Sequence, residues 1–235
     1  LCNEVNSGIT TGHKHAFIIS KDLAFLHKIE TELLHPTLEG RNLQPFRINY
    51  DDKVIIYIDK DFEPTEYNNV IKYLESFKEE LSQRSEVLQN IKPWYALGRA
   101  RGSNLLLPPK IICRETGDSI ISCFDEIGYY PMNTIICIKL KESDISLYKA
   151  ISALLNSRLL NFIFKAISQE DGRTFAKVRP INLRKLPIPN NLESFKGILA
   201  DYYTNMEIAT DSLFLELANK LNNLIYGIYK IDYKD

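Results

Sequence analysis

The sequence predicts a mixed α/β fold of the α+β kind, a β-rich region with antiparallel strands accompanied by long amphipathic helices. Three observations carry this. Short isoleucine- and valine-rich runs are broken by Gly and Pro, other stretches repeat apolar residues at three- and four-residue spacing, and one Leu-Pro-Ile-Pro segment excludes helix. With 235 residues, 45% hydrophobic and 25% charged, the chain is long enough for one large or two small domains, and no segment is low-complexity.

Taken in order, Ala16-Phe17-Ile18-Ile19 and Val54-Ile55-Ile56-Tyr57-Ile58 read as strands, with His35-Pro36-Thr37-Leu38-Glu39-Gly40 as a turn-bounded run between them. After Pro64, Thr65 is expected to cap a helix in which Val70, Leu74, Phe77, Leu81, Leu88 and Ile91 share a face and which Pro93 ends. Strand signals return at 110–113, 119–124 and 134–140, separated by Gly117, Gly128 and Pro131, and antiparallel pairing is expected. A second helix follows Ser143, with Ile145, Tyr148, Ile151, Leu155, Leu159, Phe162 and Ile163 on one face, and stops near Gly172. Pro187 and Pro189 hold 186–190 extended, and 192–231 reads as mainly helical, with Leu213, Leu217, Leu221, Leu224, Ile225 and Ile228 as its apolar stripe. The expected organisation is one domain over 1–190 with a helical segment, 191–235, packed on it.

Formal net charge is -1, which gives no bulk sign of nucleic acid or membrane. Locally the balance shifts. Acids outnumber bases over 51–86, whereas 92–114 holds Lys92, Arg99, Arg101, Lys110 and Arg114 without an acid. Residues 165–185 add Lys165, Arg173, Lys177, Arg179, Arg184 and Lys185 against Glu170 and Asp171. Cys2, Cys113, Cys123 and Cys137 show no CxxC spacing, and three of them lie in apolar runs, so buried reduced thiols are the expectation. No apolar run approaches the roughly 20 residues of a membrane span and no signal peptide is legible, so a cytoplasmic protein with no membrane partner is expected. The start at Leu1, without an initiator methionine, reads as a piece of something longer.

A methyltransferase acting on a base amino group needs a glycine-rich loop and a polar-Pro-Pro-aromatic segment, and neither is legible. The adjacent prolines Pro108-Pro109 are preceded by Leu107 and followed by Lys110. No spacing specifies the carboxylates and lysine of a nuclease, and His13-Lys14-His15 lacks the further ligands of a metal site. No catalytic residue and no metal are therefore expected.

The ordered set Gly8-Ile9-Thr10-Thr11-Gly12, Pro36-Thr37-Leu38-Glu39-Gly40-Arg41, Leu81-Ser82-Gln83-Arg84, Trp94-Tyr95-Ala96-Leu97-Gly98-Arg99, Pro109-Lys110-Ile111-Ile112, Leu154-Leu155-Asn156-Ser157 and Leu186-Pro187-Ile188-Pro189 resembles TaqI-like C-terminal specificity domains. That resemblance spans roughly residues 8–190. It implies a target recognition domain of type IIG restriction-modification enzymes and adenine-specific DNA methyltransferases. The partners implied are double-stranded DNA and a methyltransferase domain in cis, with S-adenosylmethionine bound by that domain and no cofactor in this chain, and with an endonuclease fused in the combined enzymes. The rival reading is the specificity and assembly module of a type I system, docking subunits through its helices.

Base-reading residues vary within such a family, so candidates come from chemistry. Arginine offers paired donors to guanine, and Arg99 and Arg101 would share a side of an extended segment, with Trp94 and Tyr95 just before and Gly98 and Gly102 permitting close approach. The competing reading places Trp94 in the core and the arginines on a solvated loop. Thr11, His13, Lys14 and His15 form a polar loop suited to phosphate, as do Arg173, Lys177 and Arg179 after the second helix. Arg41 and Lys110 complete the DNA-binding candidates, while Asn156 and Ser157 are read as internal hydrogen bonds.

Overall fold

The computed structural model describes residues 1–168 and 176–231. The chain opens with β1 (Cys2–Ser7), the single turn α1 (Lys14–Phe17), β2 (Ile18–Ser20), α2 (Lys21–Leu26), β3 (Leu34–Leu38), the short pair β4 (Leu43–Gln44) and β5 (Arg47–Ile48), and β6 (Lys53–Ile56). The middle holds α3 (Asn68–Glu75), α4 (Lys78–Ser82), α5 (Ser85–Leu88), α6 (Ser103–Leu106), β7 (Lys110–Arg114), β8 (Ser122–Asp125), β9 (Tyr130–Pro131) and β10 (Ile135–Leu140). Helices α7 (Ile145–Leu155), α8 (Arg158–Ser168), α9 (Pro180–Leu183), α10 (Leu192–Ile208) and α11 (Asp211–Ile228) follow.

Two four-stranded sheets each join strands from the start of the chain to strands from its middle. One runs β1-β10-β7-β8 and is antiparallel throughout, as the isoleucine runs predict; the other runs β2-β6-β3-β9, with β3 and β9 parallel. The first sheet is covered on both faces, which is why its strands read as continuous apolar runs. Ile111, Ile136 and Ile138 pack towards Ile151 and Leu154 of α7, while their alternate neighbours Ile112, Ile135 and Cys137 pack with Leu38 and Leu43. Cys113, Cys123 and Cys137 are buried free thiols, and burial pushes Cys137 up to about 12.

The last two helices are bound to this sheet by polar as well as apolar contacts. The buried Tyr203 hydroxyl of α10 accepts from the Phe124 amide at 2.7 Å and donates to the Phe46 carbonyl at 3.1 Å. Arg47 of β5 donates to the Met206 and Glu207 carbonyls at 3.2 and 3.1 Å and to Ala209, placing a cation where the α10 dipole ends.

Several local expectations are corrected. Thr65 lies in a 3₁₀ turn, and α3 starts at Asn68, where the Glu30 carboxylate accepts from the Asn69 and Val70 amides at 3.0 Å each. The expected single helix there is three short ones that leave Leu88 and Ile91 exposed. Ala16 and Phe17 sit in the turn α1 rather than a strand, because His13 Nδ1 accepts from the Ala16 amide. Finally, the helix after Ser143 begins with Asp144 as its cap and bends by 66° between α7 and α8. At the bend the Asn156 amide bonds both the amide and the carbonyl of Ser122, drawing the chain onto β8, and Ser157 donates to Leu154, so both side chains are internal as read. Past the bend Phe162 leaves the apolar stripe and is exposed. Among the described residues no single helix is long and apolar enough to cross a membrane.

Candidate nucleic-acid interface

Two loops meet backbone to backbone at residues 10–12 and 98–99. Thr10 and Arg99 exchange amide-to-carbonyl bonds of 3.0 and 2.8 Å, and the Gly98 amide donates to the Thr11 carbonyl at 3.0 Å. The approach requires glycine twice. A Cβ on Gly98 would stand 3.2 Å from the Gly12 nitrogen and the Thr10 oxygen, and Gly12 itself has φ +79°. Gly102, by contrast, has nothing within 4 Å of such a carbon.

This ladder fixes the base from which Arg99 and Arg101 project. Arg99 is exposed and Arg101 half-buried, and each donates to the Ser7 hydroxyl at 3.4 Å; Arg101 Nε also donates to the Gly8 carbonyl at 3.2 Å. Among the described residues, no carboxylate forms an ion pair with either guanidinium. Burial, and then the charge of Arg99, lower the Arg101 pKa from its usual value. The pair rims a hollow of about 530 Å³ whose walls include Tyr57, Tyr130, Asp59 and Asp61. The Tyr57 hydroxyl donates to the Arg101 carbonyl and Lys92 donates to the Gly98 carbonyl, so both stiffen the loop. Trp94 is half-buried against the core with the Lys78 ammonium 5.1 Å above its ring, and Tyr95 packs on Phe62. Both aromatics support the loop from behind.

The other candidates divide. Lys110 is corrected: it is fully buried, pairs with the equally buried Asp125 at 2.6 Å and donates to the Leu106 carbonyl, and so presents nothing to a ligand. Asp125 also accepts from the amides of Ile127, Gly128 and Tyr129, so the pair builds a loop. Thr11 is corrected too. It is 6% exposed, and what it contributes is its carbonyl. His13 caps α1, and His15 is exposed beside it.

Lys14 pairs with Glu39 at 2.5 Å, and Arg41 with Glu39 at 3.0 Å and Asp51 at 3.2 Å. Both line a second hollow, about 320 Å³, together with Arg114 and Thr116. Lys177 reaches its edge through a backbone bridge to Thr116 and pairs with Glu115 at 3.6 Å. Arg179 is exposed ahead of α9, and Arg173 lies outside the described residues. The structure therefore gathers Thr11, Arg99 and Arg101 at one junction and Lys14, Arg41 and Lys177 at another. Sequence reasoning gave no role here to Ser7, Tyr57 or Arg84, which organise the first junction; Arg84 stands in the Leu81-Ser82-Gln83-Arg84 motif, and no spacing signal marks the other two.

The family model of the TaqI-like C-terminal specificity domain matches residues 35–188. No curated protein matches the chain. Among solved structures, the type IIL restriction-modification enzyme MmeI in complex with DNA superposes over 100% of the chain with TM-score 0.69 and 14% identity. The type IIG restriction endonuclease BpuSI does so over 97% with TM-score 0.54 and 13% identity. The chain spans 33% and 30% of those two proteins, and at such identity the likeness is one of fold.

Proposed function

The chain belongs to the TaqI-like C-terminal specificity domain family, and on that premise we propose that it reads a short sequence in double-stranded DNA for a restriction-modification enzyme. The observation that carries this reading is the Arg99–Arg101 pair. Two guanidiniums held on a hydrogen-bonded, glycine-laddered junction share one serine hydroxyl and have no carboxylate partner among the described residues. A guanidinium can donate two parallel bonds to O6 and N7 of guanine in the major groove, and the weak 3.4 Å bonds to Ser7 cost little to exchange.

Lys14, Arg41, Lys177 and Arg179 serve as phosphate contacts in this reading, with Arg173 beside them in sequence. The ion pairs of Lys14, Arg41 and Lys177 have exposed cations, which can turn from their carboxylates to phosphate. Methyl transfer, its S-adenosylmethionine and base flipping belong to a methyltransferase domain in the same polypeptide. The rival assembly reading rests on the α11 stripe from Leu213 to Ile228; Leu221, Ile225 and Ile228 are buried in the chain's own core, which leaves only its start, at Leu213, exposed for a partner.

Selection of duplexes from a random pool, at low and moderate salt, tests the reading. Wild type should enrich one short motif, and Arg99→Ala/Arg101→Ala should relax it at guanine positions by about 1–3 kcal/mol each. Absence of any enriched motif would overturn it.

A further inference from the structure

We propose that Arg84, which faces no DNA in this reading, is the positioning residue that sets the geometry of the base-reading junction; the inference rests on the function proposed above. Arg84 stands in the acid-rich stretch 51–86 just after α4, and its guanidinium turns inward. Nε donates to the Leu81 carbonyl at 2.9 Å, Nη1 to the Thr11 carbonyl at 3.2 Å, and Nη2 to the Trp94 carbonyl at 2.6 Å. One planar group thus ties a helix end to the first loop and to the root of the second.

The Thr11 carbonyl is shared, since it also accepts the Gly98 amide. Arg84 therefore braces the same oxygen that aligns the Arg99 segment. Gly12 leaves the room for it: a Cβ there would stand 2.8 Å from Nη1 and 3.0 Å from Cδ of Arg84. Burial lowers its pKa and the charge of Glu86 opposes that, but among the described residues Glu86 forms no ion pair with it. The three bonds to carbonyls hold the group, and a planar fork is the side chain that can hold three backbone segments at once. Loosening it lets the arginine pair drift relative to the phosphate contacts. Sequence readout suffers from such drift, whereas backbone attraction tolerates it.

The test compares dissociation constants of wild type, Arg84→Met and Arg84→Lys for the duplex that wild type selects and for a scrambled duplex of equal length. Arg84→Met should lower the scrambled-to-selected ratio of dissociation constants by about ten-fold while scrambled-duplex binding stays within about two-fold. Arg84→Lys, with donors but no fork, should fall between. A ratio unchanged in Arg84→Met, or both affinities falling by one factor, would overturn the proposal. If Arg84→Met fails to fold, Arg84→Lys takes its place: a lowered ratio supports the proposal, and an unchanged one overturns it. Failure of the underlying reading looks different: wild type itself then prefers no sequence, and both ideas fall together.

Discussion

Lys110 and Arg101 stand in the same acid-free stretch of sequence, and the fold treats them oppositely. Lys110 is carried by β7 into the interior, where Asp125 meets it at 2.6 Å and neither side chain is exposed. Arg101 precedes α6 on a loop, half-buried, with a serine hydroxyl and a carbonyl as its acceptors and no ion-pair partner among the described residues. The comparison shows that a run of basic residues does not by itself mark a nucleic-acid surface. What separates the two is burial together with the partner that folding supplies. A cation buried on a carboxylate is architecture, and an accessible one left to weak acceptors is available to a ligand.

The comparison breaks most visibly at Lys110. Lys110→Met leaves the Asp125 carboxylate buried with only its three amide donors, and removing one partner of such a pair costs about 3–5 kcal/mol. Chemical denaturation should show that loss. A cost below about 1 kcal/mol would mean that the site is wetter than its burial indicates. Next in size is Tyr203→Phe, which strands the Phe124 amide and the Phe46 carbonyl and should cost about 1–3 kcal/mol in the same assay.

Much of this architecture is legible in residues and much is not. The runs of β7 and β10, the stripe of α7 and the proline-held 186–190 segment are local patterns, and they fold as their periodicity demands. The partners are not local. Glu30 caps α3, Asn156 pinches β8, and Asp125 reaches back to Lys110, each a long-range polar contact that no spacing announces. At the candidate site, Gly98 beside Arg99 signals a close backbone approach. Its partner Gly12 and the shared Ser7 acceptor emerge only with the fold. Lys110 misleads because a lysine heading an apolar run looks the same whether the strand begins at the surface or inside.

A smaller effect concerns His35, whose ring stacks on Tyr130 at 3.9 Å beneath the hollow next to Arg101. Burial lowers its pKa below the usual 6.5, so the folded state stays neutral at a pH where the unfolded chain already binds a proton. Stability attributable to this ring is complete above about 6.5 and is lost as pH falls through the folded pKa. Melting temperatures measured from about pH 7.5 to 5.5 should fall more steeply in wild type than in His35→Phe. Equal slopes would remove His35 as the cause.

The smallest expected change in stability is the one that sharpens the contrast. Arg99→Met/Arg101→Met removes two cations that satisfy no carboxylate among the described residues, so unfolding free energy should move by no more than about 0.5 kcal/mol. Binding should report the opposite. If these side chains read bases, the salt dependence of affinity stays as in wild type while preference among duplexes is lost, because counterion release counts phosphates alone. Lys14→Met/Lys177→Met should do the reverse, reducing the slope of log affinity against log salt by about 0.9 per lost contact and leaving preference intact. A fall in slope for the arginine pair would reassign Arg99 and Arg101 to the backbone. A large loss of stability would place them with Lys110 as architecture.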